Sequence, residues 1–159
     1  MKFEFRPLTP RDVPLLHEWT KRPHVSEWDI EAEDDYFPVN DPRDFKPYIA
    51  YIDDRPVAYV QSYVAIDAGD GWWSDQHDPS VLGMDVYIGS EDDLGRGIGT
   101  ELVKHFVAFL FTDRHITRIQ IDPSPENARA IRCYEKAGFQ RVGTVDTPDG
   151  PALLMHLNR

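Results

Sequence analysis

One stretch constrains this chain more than any other. A short apolar segment, Val81-Leu82-Gly83-Met84-Asp85-Val86-Tyr87-Ile88, gives way to an acidic turn and then to Leu94-Gly95-Arg96-Gly97-Ile98-Gly99-Thr100. From there Ile98, Leu102, Val103, Phe106, Val107 and Leu110 recur at spacings of three and four. That period predicts a helix with one buried face, reaching about Thr112. The glycines therefore fall where a strand hands over to a helix. At such a junction the first backbone N–H groups lack intrahelical partners and the macrodipole is positive. Glycine also leaves out the Cβ that would hold a bound group away. The junction suits a pyrophosphate, although a tight glycine-containing turn would read the same way.

Spacing excludes two other phosphate sites. A P-loop needs Lys-Ser/Thr after its last glycine, whereas Gly99 is followed by Thr100-Glu101. A dinucleotide fingerprint needs G-x-G-x-x-G, and here the glycines stand at 95, 97 and 99. Asp122 lies near the distance of a ribose-binding acid, but the glycine register is wrong.

The rest of the chain alternates strand and helix patterns. Phe3, Phe5 and Pro7 alternate with polar residues as a first strand. Thr9 then reads as an N-cap, with Pro10 at N1 and Asp12 at N3, ahead of an apolar face made by Val13, Leu16 and Trp19. A second short helix is expected over Val25 to Trp28, before the acidic run Asp29 to Asp35. Pro47–Ile52 and Val57–Ala65 read as strands around an Asp53-Asp54-Arg55-Pro56 turn. Thr117–Ile121 is a further strand, and a last helix starts after Pro125 and stops at Gly138. Gln140–Val145 and Ala152–Leu157 close the chain as a hairpin. The expectation is one α/β domain over residues 1–159, built around a mixed sheet.

Composition narrows the partners. A net charge of −11 disfavours nucleic acid, whose phosphates would be repelled. It favours a cationic partner, although solubility alone accounts for it equally well. The one cysteine, Cys133, cannot close an internal disulfide, and no apolar run is long enough to span a bilayer or to serve as a signal segment. These features point to the cytoplasm. The six histidines show no metal-ligand spacing, so no metal is implied.

At this point the residues match a known pattern. Gly97-Ile98-Gly99 at a helix start resembles the acetyl-CoA loop of the GCN5-related N-acetyltransferases, whose pattern is Gln/Arg-x-x-Gly-x-Gly/Ala; Leu94 departs from it at the first position. Asp122-Pro123-Ser124-Pro125-Glu126-Asn127 and Arg132 to Phe139 resemble the family's last strand–helix unit. Ser62-Tyr63-Val64, Gly69-Asp70-Gly71-Trp72-Trp73 and Thr147 to Ala152 are similar to the aminoglycoside 6′-N-acetyltransferases. The resemblance implies a mostly antiparallel sheet flanked by helices, with two central strands splayed around the pantetheine arm. It implies acetyl-CoA as co-substrate and a cationic amine, an aminoglycoside, as acceptor, in a monomer or homodimer. A polyamine, a siderophore precursor, a protein N-terminus or a non-catalytic acyl-CoA sensor are the other readings.

By the same resemblance, backbone N–H groups around Val86 and Tyr87 polarise the acetyl carbonyl. Gly95, Arg96, Gly97, Ile98, Gly99 and Thr100 hold the pyrophosphate, Asn127 contacts pantetheine, and Tyr134 is the general acid for the thiolate. On spacing alone Tyr134 fits a core aromatic beside Ile131. Asp85 stands in an apolar strand, where a carboxylate is costly unless paired or functional. Asp70 sits in a turn, a place aspartate also takes for local reasons. Asp70 and Asp85 are the candidates for handling the amine, Asp122 and Asp149 match acidic substrate-facing positions, and Trp72 could lie against a sugar.

Overall fold

The structure is a computed structural model that describes residues 1–28, 30, 44–65 and 78–159. Seven strands form one sheet: β1 (Glu4–Pro7), β2 (Lys46–Ile52), β3 (Arg55–Val64), β4 (Val81–Ile88), β5 (Arg118–Ile121), β6 (Gln140–Thr147) and β7 (Gly150–Asn158). Their order is β1-β2-β3-β4-β5-β7-β6, and only the β4–β5 pair is parallel. The last hairpin therefore inserts its second strand beside β5 and leaves β6 at the edge.

Alternation divides the sheet into two faces. On one, Tyr48, Ala50, Val60, Met84, Val86, Ile119 and Ile121 pack against α3 (Ile98–Leu110) and α4 (Ala128–Lys136), with Leu102 and Phe106 fully buried. On the other, Ile49, Tyr51, Tyr59 and Tyr87 meet Leu16 and Trp19 of α1 (Val13–Thr20). Before α1, Asp12 Oδ2 accepts from the Thr9 amide at 2.8 Å and from the Thr9 hydroxyl at 3.0 Å, closing the expected cap around a single 3₁₀ turn, Pro10–Asp12.

Several boundaries shift from the sequence reading, α3 ending at Leu110 and the last hairpin extending to Thr147 and Gly150–Asn158, and two shifts have a clear local cause. The short helix α2 covers Pro23–Ser26 rather than Val25 to Trp28, because Pro23 takes the first helical position behind an extended Arg22. The β2–β3 turn needs only Asp53 and Asp54, both left-handed at φ 48° and 61°, so Arg55 and Pro56 join the ladder. Val57 is the extra residue there, since Tyr51 pairs with Pro56 and Ala50 with Ala58.

Candidate active site

β4 runs beside β3 from Leu82 to Ile88 but meets β5 only from Val81 to Gly83. β5 ends at Ile121; on its β7 side the Leu153 amide still donates to the Pro123 carbonyl at 2.9 Å, while on its β4 side the pairing has already stopped. Beyond Gly83 the pairing with β5 stops and the strands part, and among the described residues no strand covers this edge of β4. The Gly89 amide donates to the Val57 carbonyl at 2.9 Å, which sets the alternation. Residues 85 and 87 turn their backbone groups toward β3, and Val86 and Ile88 turn theirs to the opening. The alternation thus separates the pair named from sequence. The Val86 amide faces the gap, while that of Tyr87 faces β3 opposite Tyr59.

The glycine loop stands past the open end. A 3₁₀ turn, Glu91–Asp93, leads into it, anchored by Arg55, whose guanidinium donates to the buried Asp93 carboxylate at 2.8 and 3.2 Å. Gly95 and Gly97 have φ of +72° and +76°, and a Cβ at either would point into open space. Their hydrogen side chains are required by the backbone, not by crowding. Gly97 is the N-cap of α3, and the first intrahelical bond runs from Glu101 N–H to the Gly97 carbonyl at 3.2 Å. The amides of Ile98, Gly99 and Thr100 are therefore left for a ligand, with Arg96 exposed beside them. A Cβ at Gly99 would sit 3.4 Å from both Cys133 Sγ and Ile88 Cδ1, so this glycine lets α4 lean on the loop. The Thr100 hydroxyl donates to Cys133 Sγ at 3.7 Å, and burial pushes that thiol up.

Asn127 caps α4, its Oδ1 accepting from the Ala130 amide at 3.2 Å. That use leaves the Nδ2 donors for a ligand. Tyr134 is buried on α4, edge-on to Phe139. Burial holds its phenol well above the ordinary range, and the charges of Cys133, Asp85 and Asp122 add to the effect. Tyr134 belongs to the α3–α4 face, and the two aspartates to the opposite one, near enough for their charges to act on it.

The carboxylates converge as well. Asp122 is pushed up to about 7, first by burial, then by the negative charges of Asp85 and Asp149. Asp85 is held in place: Tyr59 Oη donates to Gln61 Oε1 at 2.5 Å, and Gln61 Nε2 donates to Asp85 Oδ2 at 2.6 Å. Gln61 was not among the residues read from sequence. Its signal was a lone amide between Tyr59 and Tyr63 at period two in an apolar strand. Asp85 and Asp149 thus lie within reach of Asp122 for their charges to raise it, and Asp85 and Asp122 act likewise on Tyr134, while Asp70 and Trp72 lie outside the described residues. Among the described residues no cluster of metal-ligating side chains occurs.

The features assembled here are a strand edge without a strand partner, a helix start with free amides, and carboxylates near a buried phenol. Residues 9–147 match the family model described as an acetyltransferase (GNAT) domain. An aminoglycoside N(6′)-acetyltransferase type 1 of Klebsiella pneumoniae is 47% identical over 160 residues, covering 94% of this chain and 80% of the relative. A solved structure of AAC(6′)-Ib with paromomycin and acetyl-CoA superposes with a TM-score of 0.94 at 45% identity, over 100% of this chain and 94% of that one. Another, of the same aminoglycoside acetyltransferase with coenzyme A and kanamycin, gives 0.93 at 46% identity, over 99% and 95%. Fold, loop and sequence agree, and the chain belongs to the GNAT acetyltransferase family.

Proposed function

We infer that this chain is an aminoglycoside 6′-N-acetyltransferase, moving an acetyl group from acetyl-CoA to the drug's 6′-amine in a ternary complex. The observation that carries the inference is the negative charge of Asp85 and Asp149 around the buried Asp122, with Asp85 and Asp122 also acting on the buried Tyr134 phenol. A polycationic amine is the partner such an acidic cluster attracts. Relatives at 45–47% identity carry that activity in their names or hold the drug beside coenzyme A.

The residues divide the work by face. The amides of Ile98, Gly99 and Thr100 hold the pyrophosphate, and Asn127 and the open edge of β4 hold the pantetheine arm. On the other face Asp85, Asp122 and Asp149 hold the ammonium groups; the resemblance adds Asp70 as a further carboxylate for the amine and Trp72 as a sugar contact. The reacting nitrogen has to lose a proton before it attacks, and Asp85 or Asp70 accepts it, directly or through water. As the C–N bond forms and the C–S bond breaks, the Val86 amide holds the carbonyl oxygen and Tyr134 gives its proton to the sulfur. A cytoplasmic location fits a donor that is made inside cells.

Release of coenzyme A thiol on mixing the protein with acetyl-CoA and kanamycin tests the inference. Turnover with kanamycin supports it; turnover with spermidine but not kanamycin would replace the substrate class. For the donor loop, Gly97→Val adds a β-branched side chain at a left-handed position facing the ligand. Its acetyl-CoA KM should rise at least several-fold, and an unchanged KM in a folded variant would contradict the assignment.

Asp122 yields a pH prediction. Its carboxyl is raised from 3.8 to about 7 in the fold, so the folded state binds the proton more tightly than the unfolded state does. This group's contribution to stability is therefore greatest at low pH and is lost as pH rises from about 4 to about 7. Asp122→Asn should remove that slope, gaining in Tm over the parent as pH rises through this window. Binding of a polycation favours the charged carboxylate, so kanamycin should drive protons off the protein near pH 7. Calorimetry in buffers of different ionisation enthalpy reads that release, and its absence would place the drug elsewhere.

A further inference from the structure

The segment from Ile88 to Asp93 separates the Val86 amide from the pyrophosphate loop, so its shape sets the distance between the two ends of the donor site. Its first residues are gripped from the acceptor side of the sheet. His24 Nε2 lies 2.9 Å from the Ile88 carbonyl oxygen, and Arg22 Nη1 donates to the Gly89 carbonyl at 2.9 Å while Nη2 is held by Glu18 at 2.7 Å. The Trp19 ring covers Gly89 so closely that a Cβ there would come within 2.1 Å of it. All four side chains come from the α1–α2 segment, and α1 packs on the face opposite α3 and α4.

Of these contacts the His24 bond is the informative one. A carbonyl only accepts, so Nε2 carries the proton, which leaves Nδ1 as the bare nitrogen. Nδ1 is buried and has no partner among the described residues. Among the described residues the Ile88 carbonyl is thus the ring's single hydrogen-bond partner, and a buried polar ring held by one bond calls for an explanation beyond packing. The Ile88 carbonyl is on the same edge of β4 as the Val86 amide, the edge left open by the splay. His24 therefore satisfies the last acceptor on the ligand-facing edge, at the point where the chain turns toward Gly95. Without it, that carbonyl would be free to rotate toward solvent and take the loop with it.

We propose that His24 is a positioning residue for the acetyl donor: by binding the Ile88 carbonyl it fixes the pyrophosphate loop relative to the open edge of β4, and so sets acetyl-CoA affinity from the acceptor side of the sheet. This rests on the reading of the loop as the acetyl-CoA site. His24 touches neither substrate's reacting atoms, so its loss is expected in donor binding rather than in chemistry.

Three variants separate the bond from the bulk of the ring. His24→Ala removes both, His24→Leu keeps bulk without a donor, and His24→Gln restores an N–H at similar reach. Losing one preorganising hydrogen bond should raise the acetyl-CoA KM about five- to tenfold in Ala and Leu, with kcat and kanamycin KM within about twofold of the parent. Gln should return the acetyl-CoA KM to within about twofold. If the Ala protein does not fold, the Leu and Gln pair still decides. An acetyl-CoA KM unchanged in Leu, a Gln variant no better than Leu, or a rise confined to kanamycin KM would overturn the proposal. So would a fall in acetyl-CoA KM, which would mean that His24 competes with the donor for the carbonyl. Titration of coenzyme A alone into the same variants reads the effect without an acceptor. A failure of the aminoglycoside reading is thereby distinguished from a failure of this one.

Discussion

Tyr134→Phe is expected to keep the fold and both KM values while kcat falls on the order of 10²-fold or more, the usual cost of removing a general acid. The change deletes one oxygen from a ring that is otherwise packed against Phe139, so stability should barely move. Burial and the charges of Cys133, Asp85 and Asp122 hold the phenol above its ordinary range, so the proton stays on the oxygen throughout the neutral pH range. A thiolate formed in the same apolar surroundings is made more basic by the same desolvation, which keeps the transfer matched. Steady-state kinetics with acetyl-CoA and kanamycin provide the check. A kcat within about twofold of the parent would reduce Tyr134 to packing.

Asp85→Asn is the second large effect. Asparagine keeps an oxygen for the Gln61 donor at the same site and removes only the charge. If Asp85 takes the ammonium proton, kcat falls on the order of 10²-fold. If it only holds the cation, the loss appears in the amine KM. A second readout follows from its neighbour. The Asp85 charge helps to raise Asp122, so its removal should move any activity limb governed by Asp122 from about 7 to lower pH. A kcat/KM loss below about threefold, less than about 1 kcal/mol of transition-state stabilisation, would contradict a role for Asp85 in the amine site.

These predictions rest on parts of the molecule that differ in how far sequence exposes them. The strand–glycine–helix junction is legible because each of its signals is local: an apolar run, glycines, then a period of 3.6. The end of β5 is half legible, since Pro123 after Asp122 marks the end of the regular strand, although its carbonyl still accepts from Leu153 of β7. It does not show that β7, rather than β6, lies beside β5, because strand order depends on non-local pairing. Register decides the finer points. Which of Val86 and Tyr87 offers its amide to the gap depends on the pairing of Gly89 with Val57, a parity set between distant residues that no local pattern records. Gln61 reads as an ordinary strand residue until the ladder sets it opposite Asp85. His24 gave no signal at all, since its partner is a backbone carbonyl on another element.

The position of the transferred acetyl group decides the substrate assignment. The most direct measurement is to react the protein with acetyl-CoA and kanamycin, isolate the product, and locate the new amide by NMR and mass spectrometry. One acetyl group on the 6′-nitrogen, formed in step with coenzyme A release, is the predicted result. A product acetylated at another nitrogen, or thiol release without an acetylated drug, would contradict it.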